Sequence, residues 1–448
     1  MNTTKRLSLT TGSTITFISS VFTFVLGLCA SIIIARVLGP TNKGIYALII
    51  LIPAILLKFG ILGIDASNVY FSGNRKYTIS SIGSNSLFYG VSLGLALIFI
   101  FWFVSKMEMY QNFISSKNLN ASYIWLLMLT LPFSLISVLL NSVLVGREKV
   151  IQFNGLRILG ISLQVIFLFI LLILLDMGVL GAILVSVVIC PINLVITIVL
   201  VSKIEKIKCS FNSRLLSDSL RYGTKAYFGN LAQFLNYRLD IFLVAYFLTT
   251  TDVGYYALAV GIAEKLWILP GSIATILFPR VSSIKIQEAN NLTPRVSRHT
   301  LSIMLLLALV LLLVCKPVIR IMFGFAYFPS VRPLMLLLPG IVALSVSKIF
   351  TADLAGRGRP EFGTLAAFIS LAINIPLNIW LIPKWGIAGA AFASTIAYSI
   401  STLIALIAYL KISGNSLLDT LILKKQDIQT YFLPKLHRLK MLLAGFNK

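Results

Sequence analysis

Residues Ala35 to Leu48 read ARVLGPTNKGIYAL, and Ala245 to Leu258 read AYFLTTTDVGYYAL. Seven of the fourteen positions agree at a constant offset of 210: Ala35/Ala245, Leu38/Leu248, Thr41/Thr251, Gly44/Gly254, Tyr46/Tyr256, Ala47/Ala257 and Leu48/Leu258. A second match keeps that offset, with Leu144-Val-Gly-Arg-Glu-Lys149 returning as Leu354-Ala-Gly-Arg-Gly-Arg359. A third, at 208, pairs Gly178, Gly181, Ala182 and Ser186 with Gly386, Gly389, Ala390 and Ser394. Self-similarity at a fixed spacing implies a half-length unit written twice.

The unit is apolar. Of 448 residues, 58% are hydrophobic and 12% charged, and mean hydropathy is +0.94. That composition predicts an all-α polytopic membrane protein, because a spanning helix needs about 20 apolar residues. The runs do not alternate, which excludes an outer-membrane barrel. Apolar runs fall near 13–35, 45–64, 84–104, 123–145, 153–175, 179–201, 224–248, 254–279, 300–316, 333–352, 361–382 and 386–410, so about twelve spans are expected, six per half. The N-terminus is polar through Thr14 with no small-residue cleavage site after its apolar run, so the first run is read as a retained span.

Charge orients the spans. Of the 38 Lys and Arg residues, only Arg36, Lys43, Lys106, Lys117, Lys316, Arg320, Arg332 and Lys384 fall in one set of alternate loops. Four others lie inside apolar runs, and the remaining 26 crowd the opposite loops and the tail. Basic loops face the cytoplasm, so both termini are expected there, in a cell membrane. The same rule accounts for the formal charge of +24 without nucleic acid. Six spans per half give both halves the same orientation, hence two parallel lobes related by an axis along the membrane normal. The expected organisation is a six-helix lobe over 1–205, a basic linker over 206–222, a second six-helix lobe over 223–410 and a basic amphipathic cytoplasmic tail over 411–448. In that tail Leu417, Leu418, Leu421 and Ile422 share a helical face ahead of Lys424 and Lys425. This suits a helix lying on the leaflet surface, or a plain amphipathic tail.

Polar residues inside the spans are the candidate site. Ser13, Thr16, Ser20, Thr23 and Gly27 recur at intervals of 3, 4, 3 and 4, on one helical face. In the second half Asn230, Gln233, Tyr237 and Asp240 recur at 3, 4 and 3, in register with the first stripe. Such faces either glue helices together or line a watery cavity; amides, a phenol and a carboxylate favour the cavity. Lys58, Arg238, Asp240, Glu264, Lys265 and Lys348 are charges within apolar runs. Each costs about 2.5–3.5 kcal/mol at mid-helix unless it snorkels or finds a partner. Lys348 lies near the cytoplasmic end of its span and is expected to snorkel. A cross-helix pair between Arg238 and Glu264 is one reading of the rest. A partly basic cavity between the lobes, suited to an anion, is the other.

Catalytic patterns are missing. His299 and His437 stand beside no nucleophile or metal-ligand spacing, and Cys29, Cys190, Cys209 and Cys315 form no CxxC pair. No Walker A sequence is present. An enzyme is therefore not expected, and no metal or organic cofactor.

The motifs, taken in order, resemble those of Wzx-type polysaccharide flippases. They are Ala35-Arg-Val-Leu-Gly-Pro40 with Gly44-Ile-Tyr-Ala47, Asp240 with Val253-Gly-Tyr-Tyr-Ala257, Phe278-Pro279, Phe323-Gly324 to Leu338-Pro339-Gly340, Gly356-Arg-Gly-Arg-Pro360, and Ile382-Pro-Lys-Trp-Gly386 leading into Gly389-Ala-Ala391. Those flippases share a superfamily (the MOP flippases) with MATE multidrug antiporters and lipid II flippases. The resemblance implies a MATE-like V of two lobes around a cavity lined by the first, second, seventh and eighth spans. It implies an oligosaccharide repeat unit on polyprenyl pyrophosphate as substrate, carried from the cytoplasmic to the outer leaflet for surface polysaccharide synthesis.

On that basis Arg238, Lys265 and Lys58 are expected to attract the pyrophosphate. Asn230, Gln233 and Tyr237 would bind the sugars, and Asp240 or Glu264 would carry a coupling proton or Na⁺. The lobes would rock by alternating access. Expected partners are the lipid-linked oligosaccharide, the lipid bilayer, and the glycan polymerase and glycosyltransferases of the same pathway. The rival readings are a MATE-type drug or cation antiporter and, from another class, a membrane-embedded glycan polymerase or acyltransferase.

Overall fold

The computed structural model describes residues 9–424 and 427, with side chains from residue 15 onward except at 225 and 226. Among the described residues every regular element is helical. The first half comprises α1 (Leu9–Ile61), α2 (Ile64–Gly73), α3 (Ile79–Lys106), α4 (Glu108–Ser116), α5 (Ala121–Met128), α6 (Leu131–Gly146), α7 (Val150–Leu168) and α8 (Gly178–Ser202). The second comprises α9 (Ser213–Phe247), α10 (Thr250–Ala263), α11 (Ile268–Ser283), α12 (Ile286–Val318), α13 (Val331–Gly356), α14 (Glu361–Trp385) and α15 (Ile387–Ser413), followed by the short α16 (Leu417–Leu421).

Among the described residues ten helical segments are long and apolar enough to cross a membrane. The difference from twelve has two causes. α1 covers the first two spans; it folds back at Gly39, whose φ of 68° is left-handed and open to glycine, and Pro40 restarts the helix. α9 is 35 residues long, yet Asn230, Gln233, Asn236, Arg238 and Asp240 dilute its apolar character. The equivalent turn in the second half is built differently. Leu248 is extended, and Thr249 caps α10 through a reciprocal capping box with Asp252, an arrangement worth about 1 kcal/mol.

The two turns meet. Thr41 Oγ1 lies 2.8 Å from Thr251 Oγ1. A methyl group added to Gly44 would overlap the Thr250 carbonyl, and one on Gly254 the Pro40 carbonyl. Each contact is the other's image at the 210-residue offset, so a local twofold axis runs between α1 and α10, as parallel repeats require. We call this end the hairpin face. The loops rich in Lys and Arg gather at the opposite end, the basic face, where 73–75, 146–150, 204 and 280–283 border one space.

Helices of each half pack mainly on one another, α3 on α6 and α1 on α7 in the first, α14 and α13 on α15 in the second. α9 belongs to both. Its start is tied to the first half: Lys76 pairs with Asp218 at 2.8 Å, Tyr222 stacks on Tyr70 at 4.4 Å, and the Tyr227 hydroxyl donates to the Lys58 carbonyl at 3.1 Å. The preceding linker is strapped along α3, where Asn85 and Asn212 exchange hydrogen bonds of 2.7 and 2.9 Å and Glu205 accepts from the Ile79 amide at 3.0 Å. The far part of α9 is bound into the second half, through Asn236 and Asp240.

The tail departs from a single amphipathic face. Leu417, Leu418 and Ile422 are exposed, whereas Leu421 packs against a buried cluster of Val346, Phe350, Ala405, Leu406 and Tyr409. A buried ion pair holds the segment down, with Arg298 donating to both Asp427 oxygens at 2.7 and 3.0 Å. The rest of the tail expectation, including Lys425 and His437, lies outside the described residues, as do the side chain of Ser13 and the N-terminal Lys5 and Arg6.

Candidate functional site

Between α1 and α11 lies a cavity of about 1760 Å³ reaching from the basic face toward mid-bundle. α1 supplies Thr16, Ser20 and Thr23, three members of the stripe read from the sequence, with Phe17 and Phe24 beside them. α11 supplies Gly271, Ser272 and Thr275. At the deep end the backbone tightens into a 3₁₀ turn over Glu264–Trp267. Pro270 follows, and proline cannot donate to the carbonyl four residues back. This turn delivers Lys265 and Trp267 to the cavity wall. Gly27 of α1 lies beside it, where a methyl would be in ordinary contact with Lys265 Nζ at 3.8 Å.

The cavity is one-sided. On the other flank Gly63 and Gly223 approach so closely that a methyl on either would overlap the other's carbonyl. The 210-residue images of that pair are Ile273 and Ser13, on the flank where the cavity lies. The bundle is thus sealed between α2 and α9, sealed at the hairpin face, and open along α1 and α11.

The expected site residues divide. Lys265 lines the cavity, with its ammonium 5.6 Å from the Phe24 ring centre. Arg238 and Glu264 form the cross-helix pair, two-pronged at 2.7 and 3.0 Å; their side chains remain 33% and 19% exposed, so water still reaches them. Asp240 is buried. It accepts from the Tyr256 hydroxyl at 2.6 Å, the Ser394 hydroxyl at 3.2 Å and the Ile241 amide at 2.8 Å. These three donors satisfy its carboxylate inside the second half, away from the cavity wall. Tyr237 packs on Trp267 with ring centres 4.8 Å apart. Gln233 Nε2 is buried without a hydrogen-bond partner, and Asn230 is exposed. Lys58 is exposed, 5.6 Å from the Phe234 ring centre, and does not border the cavity. Lys348 does not snorkel as expected. Its ammonium lies over the rings of Trp267 and Tyr237, at 5.0 and 5.7 Å, where cation–π attraction replaces water.

Two groups were missed by sequence reasoning. Asn236 lies on the buried face of α9, where it donates to Ser370 at 2.8 Å and accepts from Asn374 at 2.9 Å. The spacing of Ser370, Asn374 and Asn378, four residues apart, was the available signal. The second group comprises Arg75, Arg147, Lys149, Arg157 and Arg280, which line the mouth with Glu148. They had served only to orient the chain. With Lys265 they give the wall, among the described residues, six cations against one carboxylate. Among the described residues no three His, Cys, Asp or Glu side chains gather to hold a metal ion.

Comparison with known proteins agrees with this architecture. A family model described as "Polysaccharide biosynthesis protein" matches residues 33–332. A Haloferax volcanii protein named "Probable flippase AglR" is 28% identical over 196 residues, 41% of this chain and 40% of that one. The chain spans 36% to 40% of the length of the curated relatives it matches. In fold it is similar to the lipid II flippase MurJ in an inward closed conformation, with TM-score 0.74, 18% identity and 90% of each chain covered. It is also similar to an inward-facing multidrug resistance MATE family transporter of the MOP superfamily, with TM-score 0.70, 14% identity, and 88% of this chain and 94% of that one covered.

Proposed function

The chain belongs to the polysaccharide biosynthesis protein family, and from that premise we propose that it is a flippase for glycan repeat units carried on polyprenyl pyrophosphate. The observation that carries this reading is the cavity: rich in cations, closed at the hairpin face, and open along one flank. The basic face is cytoplasmic on the charge rule, so the substrate enters from the inner leaflet. Its sugars advance between α1 and α11 toward Thr16, Ser20, Thr23 and Lys265, while the prenyl tail stays in lipid beside the open flank. The lobes then exchange the sealed end for the open one. An inside-negative potential favours outward movement of the anion by about 2.3 kcal/mol per charge per 100 mV.

The remaining residues take supporting parts in this reading. Arg238 and Glu264 form a switchable pair facing the deep end, and Asp240 is the group that carries a coupling proton or Na⁺ within the second half. Glycosyltransferases and a glycan polymerase of the same pathway would supply and consume the substrate. A cation antiporter fits less well, since a wall of six cations and one carboxylate repels its cargo.

Depletion of the protein tests the reading. Lipid-linked repeat units should accumulate on the cytoplasmic side while surface glycan is lost. Single units exposed on the outer side would point to a polymerase instead, and unchanged surface glycan would remove the proposal.

A further inference from the structure

The repeated motif Leu144 to Lys149 and Leu354 to Arg359 has two fates. In the second half Arg357 is neutralised, with its Nε donating to Asp353 at 2.6 Å. Asp353 is wholly buried and also accepts from Thr293 at 2.6 Å. In the first half the positions of Asp353 and Thr293 are Val143 and Gly83. Arg147 therefore has the backbone setting of Arg357 without its carboxylate. Its Nε is buried with no hydrogen-bond partner among the described residues, a costly state for a donor on a charged group. Burial, then the neighbouring Arg75 charge, pull its guanidinium below the usual arginine range, against a smaller opposing pull from the Glu205 carboxylate. Like charges brought together on a cavity wall are stabilised when an anion joins them.

We propose that Arg147, with Lys149, Arg75 and Arg280, forms a binding site at the cavity mouth for the pyrophosphate group of a prenyl-linked substrate. This rests on the flippase reading and alters where the charge is held. The four residues sit at or beyond helix ends on the basic face, the level of lipid headgroups. A pyrophosphate bound there need not leave that level while the sugars enter the cavity. Arg147 supplies a forked donor and Lys149 a point charge. Glu148, the one carboxylate on the wall, projects from a left-handed residue with φ of 56°.

The test is a binding measurement on the purified full chain in neutral-lipid nanodiscs, with farnesyl pyrophosphate as probe. Arg147→Gln with Lys149→Gln should weaken binding at least tenfold. The exposed Arg75→Gln, which threatens folding less, should weaken it severalfold, and Lys106→Gln, an exposed residue at the end of α3 that does not line the cavity, should leave it unchanged. Inorganic pyrophosphate should compete and phosphatidylglycerol should not. Binding within twofold of the parent in the double variant overturns the proposal, provided its unfolding temperature is unchanged. So does equal competition by phosphatidylglycerol, which would make the mouth a general anionic-lipid surface. The assay needs no transport, so a failed flippase reading and a failed mouth site give different results.

Discussion

Thr41 and Thr251 hold the same position in the two halves, and their hydroxyl oxygens touch at 2.8 Å across the local twofold axis. A symmetric pair of this kind can meet only where the lobes close. If the hairpin face must part for substrate to leave, joining these residues should stop the cycle. Thr41→Cys with Thr251→Cys should form a disulfide under oxidant and abolish surface glycan synthesis, and reductant should restore it. Full activity in quantitatively cross-linked protein would show that this end never opens.

The neighbouring glycines set how closely the lobes approach. Gly44→Ala or Gly254→Ala would drive a methyl into the facing carbonyl, and overpacking of this kind costs typically about 1–3 kcal/mol. The cost falls on the closed hairpin face alone. A cysteine at position 41 should therefore react faster with a membrane-impermeant thiol reagent from the outside in either variant, at unchanged expression.

Arg36 reaches across the same closure. Its Nε donates to the Met322 carbonyl at 2.8 Å and a second nitrogen donates to Ile321. Tyr327 returns a hydrogen bond of 2.9 Å to the Ala35 carbonyl, and Lys117 donates to Leu248 at 2.8 Å. Residues 117 and 327 are themselves 210 apart, so the two clamps spring from equivalent positions with different chemistry and reach acceptors that are not equivalent. Arg36→Ala removes charge-assisted bonds worth about 1.5–3 kcal/mol. It should shift the same accessibility assay toward the outward-open form by about tenfold or more.

Arg238 and Glu264 should behave as a unit. Glu264→Ala strands a guanidinium that is two-thirds buried, and should lower the unfolding temperature more than Arg238→Ala with Glu264→Ala together. The coupling energy in a double-mutant cycle should fall at about 1 kcal/mol, the low end for such pairs, because water reaches both side chains. Additive effects would mean the pair contributes nothing as a pair.

The strap at Asp427 should be sensitive to acid. Hydrogen bonds from Arg298 hold its carboxyl below the usual carboxylate range. A carboxylate with a lowered folded value stabilises the docked state above its ordinary value of about 3.9, and that contribution is lost as pH falls through the lowered value. Protection from hydrogen exchange over 413–424, relative to the intrinsic rate at each pH, should be high at neutral pH and lost in strong acid. In Asp427→Asn it should be low at every pH.

Much of this was legible in the chain because periodicity and repetition are local properties. The offset of 210 located the axis, and Arg238 with Glu264 was among the pairings foreseen. The 3–4 spacing of Thr16, Ser20 and Thr23 left helix packing and a cavity wall equally open, and they line the cavity, whereas Asn230, Gln233, Tyr237 and Asp240, for which a cavity was favoured, do not border it. Other features depend on tertiary neighbours that a single sequence does not display. Asn230 and Asn236 are the same residue type six positions apart in one helix, yet one is exposed and the other fully buried. Lys348 lies near a span end, yet aromatic rings from α9 and the Glu264–Trp267 turn hold it inside. The mouth arginines read as topology signals because orientation and ligand binding ask for the same residue type in the same loops.

The tight seam at Gly63 and Gly223 makes the passage a slot with one long side unzipped. A slot never has to encircle its cargo. Under the proposed flippase function, the greasy anchor would travel outside while only the sugars pass within, and glycans of different lengths would share one route. Any neighbouring protein must then leave the α1–α11 edge clear, whereas the glycine seam is free to be covered.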